Sequence, residues 1–209
     1  MISQRVNPTT DADDVDRRAI ALWEVGAFVF IMLAGSALHF AYELSNFWRP
    51  MAMFGSVNES TWEHLKLFFF PGLLFTLVQY AYVRERANNY WYGKALALLA
   101  VPVGVIGSFY FYLGIALPIY GRGFLWADIG TGAFGVLLGN LVAYRVLTRP
   151  PLAPSYRFIG IGLIGAMLAA MLVFTPYPPR MFLFENFYGY EYSGDFGILD
   201  DYEPYLVFR

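Results

Sequence analysis

The chain has 209 residues, of which 58% are hydrophobic, 20% are aromatic and only 14% are charged. A soluble globule of this size needs more polar surface than these residues supply, so the composition predicts a membrane protein. The formal net charge of -2 excludes a nucleic-acid role, and the lack of cysteine excludes disulfides, thiolate metal sites and thiol nucleophiles.

The first residues form a polar segment that precedes a long apolar run. Residues 1–18 carry four aspartates and have no apolar period that would build a core, so we interpret them as a disordered cytoplasmic tail. Residues 19–44 are apolar and long enough to span a membrane. A cleaved signal peptide is the alternative, but Glu24 interrupts the run, and the run is too long for one.

Four further apolar runs predict four further helices. The second helix begins at Ser60, a good N-cap with Glu63 three residues later, and it ends near residue 83. The other three are predicted at residues 94–117, 124–147 and 157–174. The predicted fold is therefore all-α, an integral membrane bundle of five transmembrane helices over 19–174, followed by an aromatic and acidic tail over 175–209.

Five helices place the two termini on opposite sides of the membrane, and the Lys and Arg residues indicate which side is the cytoplasm. Eight cations fall on the side of the N-terminus and four fall on the other side. The eight are Arg17, Arg18, Arg84, Arg86, Lys94, Arg145, Arg149 and Arg157, and the four are Arg49, Lys66, Arg122 and Arg180. The balance predicts a cell-membrane protein with a cytoplasmic N-terminus and an external C-terminus.

Helix four carries the strongest packing signal. Gly132, Gly135 and Gly139 lie within about 40° of Asp128 on a helical wheel. The pair Gly135 and Gly139 forms a small-xxx-small motif, which lets a second helix approach closely. Helix four is therefore predicted to be central.

An unusual group of ionisable residues gathers at one end of the predicted bundle. His39 and Glu43 share a face near the end of helix one, because they are four residues apart. Two more carboxylates and a second histidine stand at the start of helix two, and one aspartate stands at the start of helix four. The whole group is His39, Glu43, Glu59, Glu63, His64 and Asp128. Ionisable groups at membrane depth are rare, so their convergence in the outer leaflet predicts a functional site.

Two segments that contain most of these residues resemble segments of a known family. They are residues 39–43, His-Phe-Ala-Tyr-Glu, and residues 56–66, Ser-Val-Asn-Glu-Ser-Thr-Trp-Glu-His-Leu-Lys, which are followed by a proline. They resemble a family of small prokaryotic multi-pass membrane proteins with a VNES-x-WEH-x-K signature. The resemblance covers all five helices, and residues 178–179 and 195–197 also fit it. The family is a domain of unknown function, so the resemblance implies a membrane fold and no activity.

The residue types in the group favour metal chemistry. Imidazoles with carboxylates are the ligands of zinc, manganese and non-haem iron, and a nearby carboxylate can act as general base on metal-bound water. The candidate metal ligands are His39, Glu43, Glu59, His64 and Asp128. The candidate catalytic residues are Glu63 and Glu59. The hypothesis is a metal-dependent enzyme that acts on a lipid or another amphiphile.

Simpler explanations exist for several members, and two other functions stay open. Glu63 would cap helix two with Ser60, Asp128 would cap helix four, and Lys66 would extend to the lipid headgroups. The group as a whole would also suit a proton- or cation-linked transporter with His39, Glu43 and Glu63 as its relay, or a structural or partner-binding subunit without catalysis. The lipid bilayer is the partner that the sequence predicts.

Overall fold

The computed structural model describes residues 15–199, which form five long helices, one short 3₁₀ turn and a small hairpin. The helices are α1 (Arg17–Leu44), α2 (Thr61–Val83), α3 (Tyr90–Tyr120), α4 (Leu125–Leu147) and α5 (Ser155–Phe174). The 3₁₀ turn is Arg49–Met53, and the strands are β1 (Glu185–Tyr188) and β2 (Glu191–Phe196). The predicted all-α bundle is confirmed. The predicted disordered tail falls largely on residues 1–14, which lie outside the described residues, as do residues 200–209 of the C-terminal tail.

All five helices are long and apolar enough to cross a membrane. Large apolar side chains such as Leu33, Phe111 and Phe158 are exposed on their outer faces, where a soluble protein would carry polar groups. The chain is thus a multi-pass membrane protein whose lipid-facing surface is built from these side chains.

The helix boundaries follow local signals in the sequence. Ser60 precedes α2, and its hydroxyl accepts the backbone N–H of Glu63 at 3.3 Å, as its capping role predicts. Helix α3 is longer than predicted at both ends. It continues for most of a turn beyond residue 117, through Pro118, and its C-cap is Gly121 with φ +69°.

Helices α3 and α4 pack through a line of glycines. A Cβ on Gly135 would lie 2.9 Å from the carbonyl oxygen of Val101, and a Cβ on Gly139 would lie 2.9 Å from that of Ala97. On the next turn of α4, a Cβ on Gly132 would meet the Phe68 ring of α2 at 2.6 Å. The glycines of α4 let its neighbours approach its backbone, as predicted, but α3 is the more central helix, because it packs against α2, α4 and α5 whereas α4 packs mainly against α1 and α3.

A buried ion pair joins three helices at the end of the bundle where α1 begins. Lys94 Nζ lies 2.5 Å from Glu24 Oε1, and both side chains are almost fully buried. The amide of Gln79 on α2 donates to the same carboxylate oxygen at 3.0 Å. The amide of Asn140 on α4 donates to the backbone carbonyl of Glu24 at 2.8 Å. The pair thereby joins α1, α2 and α3, and the Asn140 contact ties α1 to α4 as well.

The segment after α5 folds back over the opposite end of the bundle. Strands β1 and β2 are antiparallel, and Gly189 and Tyr190 connect them with φ of +60° and +67°. Positive φ at both central residues is typical of a type I′ turn, which suits the twist of a two-residue hairpin. The backbone N–H of Trp62 donates to the carbonyl of Leu183 at 2.8 Å, so this segment is attached to the start of α2.

Candidate metal centre

Three side chains from separate parts of the chain meet at the end of the bundle that the hairpin covers. His39 lies on α1 near its C-terminal end, His64 lies on the first turn of α2, and Glu59 lies two residues before that helix. One ligand atom from each of the three lies within 4.8 Å of the others. The convergence follows from topology, because α1 ends and α2 begins on the same side of the membrane.

The distances among these atoms match those expected around one metal ion. The two Nε2 atoms of His39 and His64 are 3.2 Å apart. Glu59 Oε2 lies 3.4 Å from Nε2 of His64 and 3.9 Å from Nε2 of His39. The nearest point equidistant from the three atoms, which lies in their plane, is about 2.0 Å from each, close to the length of a zinc–nitrogen or zinc–oxygen bond.

The three side chains have too few hydrogen-bond donors to satisfy all the contacts among them. His64 Nδ1 lies 2.9 Å from the carbonyl oxygen of Ser60, so in the neutral ring Nδ1 carries the proton and Nε2 is a lone pair. His39 Nε2 can donate to that lone pair, yet the Glu59 carboxylate then faces the same nitrogen without a proton between them. A cation among the three, either a metal ion or an additional proton, removes this repulsion.

Backbone and amide contacts hold the glutamate in place. The backbone N–H of Glu59 donates to Asn186 Oδ1 in β1 at 2.9 Å. The next residue, Ser60, donates its N–H to Asn58 Oδ1 at 2.8 Å, and the amide of Asn58 donates to the carbonyl of Gly197 at 2.7 Å. The C-terminal segment thus positions Glu59 and is part of the site.

A cavity of about 150 Å³ opens beside the three ligands. Its apolar walls are Phe68, Val105, Phe109, Leu125 and Phe187, and its other ionisable groups are Asp128 and Tyr190. The Tyr190 hydroxyl donates to Asp128 Oδ2 at 2.8 Å, whereas Asp128 Oδ1 is buried without a hydrogen-bond partner among the described residues. Burial and the adjacent carboxylate raise the pKa of Tyr190 above its ordinary value, so the hydroxyl keeps its proton at neutral pH.

The structure separates the predicted site residues into those that line the cavity and those that do not. Asp128 lines the same cavity and interacts electrostatically with His64 and Glu59, but it is not one of the three clustered ligands. Glu43 and Glu63 do not line the cavity. The metal and catalytic assignments themselves stay predictions.

Glu63 belongs to a separate buried network with Lys66. Their charged groups are 2.6 Å apart, and both residues are almost fully buried. Lys66 Nζ also donates to the carbonyl of Ala52 at 2.7 Å and to Thr175 Oγ1 at 3.1 Å. The prediction that Lys66 extends to the headgroups is wrong, because its ammonium is paired inside the protein.

Sequence reasoning missed the residues that the hairpin contributes. Phe187, Gly189 and Tyr190 line the cavity, although they lie more than a hundred residues beyond His64. The available signal was the glycine between two tyrosines at residues 188–190, inside a stretch rich in aromatic residues. That composition is typical of a β-hairpin turn.

Comparisons with known proteins place the whole described bundle in one family. A family model described as a family of unknown function (DUF6512) matches residues 16–198. No curated protein and no solved structure matches the chain.

Proposed function

This chain belongs to a family of unknown function (DUF6512), which implies no activity, and from the geometry of its site we propose that it is a membrane metalloenzyme acting on a lipid or another amphiphile. The observation that carries the proposal is the triangle formed by His39, Glu59 and His64. Two imidazole nitrogens and one carboxylate oxygen are a ligand set for zinc, manganese or iron. A bound metal of this kind supplies a nucleophile by acidifying a coordinated water.

The cavity supports a substrate with an apolar part and an uncharged polar part. Aromatic and aliphatic side chains form most of its lining, and none of the lining residues carries a cationic Lys or Arg side chain. A phosphate group would therefore meet the carboxylates of Glu59 and Asp128 without a compensating side-chain cation. We favour an ester or amide of an amphiphile as the substrate class.

The remaining polar residues have separate roles in this proposal. Asp128 is the candidate general base, because it lines the cavity and its Oδ1 is buried without a partner within residues 15–199. Glu63 positions the ligands, since its Oε2 accepts the backbone N–H of Val57 at 3.2 Å, two residues before Glu59. Tyr190 holds Asp128 in place from the hairpin.

Metal analysis of the purified full-length protein tests the proposal. We expect the wild-type protein to retain a transition metal in stoichiometric amount and to be stabilised by it. His39→Ala and Glu59→Gln should each lose that metal, because each removes one of three ligands. Glu43→Gln is the matched control, since it removes a carboxylate on the His39 face of α1 that does not line the cavity. Equal metal content in Glu59→Gln and Glu43→Gln would refute the site.

Proton-linked or cation-linked transport is the alternative function. Two observations favour transport. A proton in place of the metal would also neutralise the three ligands, and a second polar cluster surrounds Glu24. Between the two ends lies a buried apolar core that includes Ile31, Phe69 and Val101. This core interrupts a proton path, so we favour the metalloenzyme, with its site in the outer leaflet of the cell membrane.

A further inference from the structure

A second polar cavity lies at the other end of the bundle, where α2 ends and α3 and α5 begin. It has a volume of about 400 Å³. Two arginines line it: Arg84 follows α2, and Arg157 lies on the first turn of α5. We call this cavity the arginine pocket. Glu85 also lines it, so its net charge is positive, opposite in sign to that of the cavity beside the candidate metal centre, and the two cavities would select different ligands.

The hydrogen-bond donors of the arginine pocket are largely unused. Arg157 is exposed, and its guanidinium makes no hydrogen bond or ion pair with any residue in 15–199. Arg84 is 3.5 Å from Glu85, whose side chain is 84% exposed, and its guanidinium lies over the Tyr80 ring at 5.7 Å. The indole Nε1 of Trp91, which also lines the pocket, is buried without a partner among the described residues. A buried donor without an acceptor calls for an explanation, and a ligand in the adjacent pocket would supply one.

Side-chain contacts fix the walls of the arginine pocket. The Asn89 amide donates to the carbonyls of Val146 and Pro150 at 3.2 and 3.0 Å, and its oxygen accepts the N–H of Leu152 at 2.8 Å. These bonds hold the loop between α4 and α5 against the start of α3. The rings of Tyr92 and Tyr156 also meet across the pocket, with centroids 4.9 Å apart. The donors from α3 and α5 are therefore held in a fixed relation.

The position of the arginine pocket in the membrane points to a lipid as the source of its ligand. It lies at the ends of membrane-spanning helices and is rich in Tyr and Trp, which is typical of the level of lipid headgroups. The outer face of α5 next to it exposes Phe158 and Ile161, a suitable surface for acyl chains. We propose that the arginine pocket binds the phosphate group of an anionic phospholipid. Guanidinium groups bind phosphate oxygens through paired, charge-assisted hydrogen bonds.

Lipid binding to the purified full-length protein in detergent tests this proposal. Short-chain phosphatidylglycerol, short-chain phosphatidylcholine and inorganic phosphate would each be titrated, with native mass spectrometry and thermal unfolding as readouts. We expect phosphatidylglycerol to bind more tightly than phosphatidylcholine and to raise the unfolding temperature, and inorganic phosphate to have little effect. Equal binding of the two lipids, or stabilisation by inorganic phosphate alone, would overturn the proposal.

Two sets of variants connect the binding to the arginine pocket. Replacing both Arg84 and Arg157 by Ala should weaken phosphatidylglycerol binding by at least about tenfold, because charge-assisted hydrogen bonds are lost. Arg145→Ala is the control, since it removes an exposed arginine that does not line the pocket. Trp91→Phe keeps the aromatic packing and removes only the indole N–H, so it should weaken binding without unfolding the protein. Wild-type affinity in both the double variant and Trp91→Phe would contradict the proposed site.

Discussion

At the scale of single residues, the buried pair of Glu63 and Lys66 has the clearest energetic consequence. Both side chains are almost fully removed from solvent and lie 2.6 Å apart. Removing one member leaves the other as an unpaired buried charge, which typically costs about 3–5 kcal/mol. Lys66→Met should therefore lower the unfolding temperature of the purified protein strongly, as measured by thermal unfolding in detergent.

The double variant Glu63→Gln with Lys66→Met shows whether charge causes this loss. It removes both charges, so it should recover much of the stability that Lys66→Met loses. Arg122→Met, which removes an exposed cation at the same end of the bundle, should leave the unfolding temperature nearly unchanged. A double variant as unstable as Lys66→Met would show that packing of the lysine chain matters more than its charge.

The residue types of the candidate site were predictable, but the choice among its carboxylates was not. His39 and His64 were expected to meet, because α1 ends and α2 begins on one side of the membrane, and their Nε2 atoms are 3.2 Å apart. Helical spacing alone gives no reason to place one of Glu43, Glu59 and Glu63 in the site rather than another. Their separation depends on loop contacts, since Asn186 from the distant hairpin holds the backbone of Glu59. No local sequence pattern encodes that contact.

At the scale of secondary-structure elements, the seam between α3 and α4 gives a paired prediction. Gly135→Leu places a side chain against the backbone of α3, where a Cβ would already lie 2.9 Å from Val101 O. The expected cost is about 3 kcal/mol or more. Leu137→Gly, on the exposed face of α4, should cost about 1 kcal/mol from helix propensity alone. Equal expression and melting of the two variants would show that the helices tolerate separation.

The hairpin gives a second prediction at this scale. The Tyr190 ring packs on Gly123 so closely that a Cβ there would overlap the ring. Gly123→Ala should therefore displace Tyr190 from Asp128 and speed hydrogen exchange of residues 185–196 by about tenfold, because one charge-assisted hydrogen bond is lost. Gly130→Ala is the control, since open space surrounds that position. Unchanged exchange in Gly123→Ala would show that the hairpin is held by other contacts.

The helices were predictable because their apolar runs are long and end at polar or proline-rich breaks. All five were placed correctly, with the largest error at α3, which begins at Tyr90. The N-cap Asn89 adopts a left-handed conformation and makes no side-chain hydrogen bond to the helix, so the usual start signal is missing. The hairpin was not predicted, because its aromatic residues were interpreted as part of an aromatic and acidic tail and not as strands.

At the scale of the whole molecule, the orientation in the membrane stays a prediction. Lys66 and Lys94 are buried in ion pairs and do not act as loop charges. The remaining cations of the two groups number seven on the N-terminal side and three on the other, so the bias persists. A reporter fused after Arg209 should be active only outside the cell. Activity in the cytoplasm would reverse the assignment of the candidate metal centre to the outer leaflet.

The two buried ion pairs also differ in when they can form during synthesis. Glu63 and Lys66 are three residues apart on α2, so that helix enters the bilayer with its charges already neutralised. Glu24 and Lys94 are separated by 70 residues and lie on α1 and α3. At ordinary translation speeds the ribosome needs on the order of ten seconds to make that interval. Until α3 emerges, Glu24 therefore lacks its lysine partner.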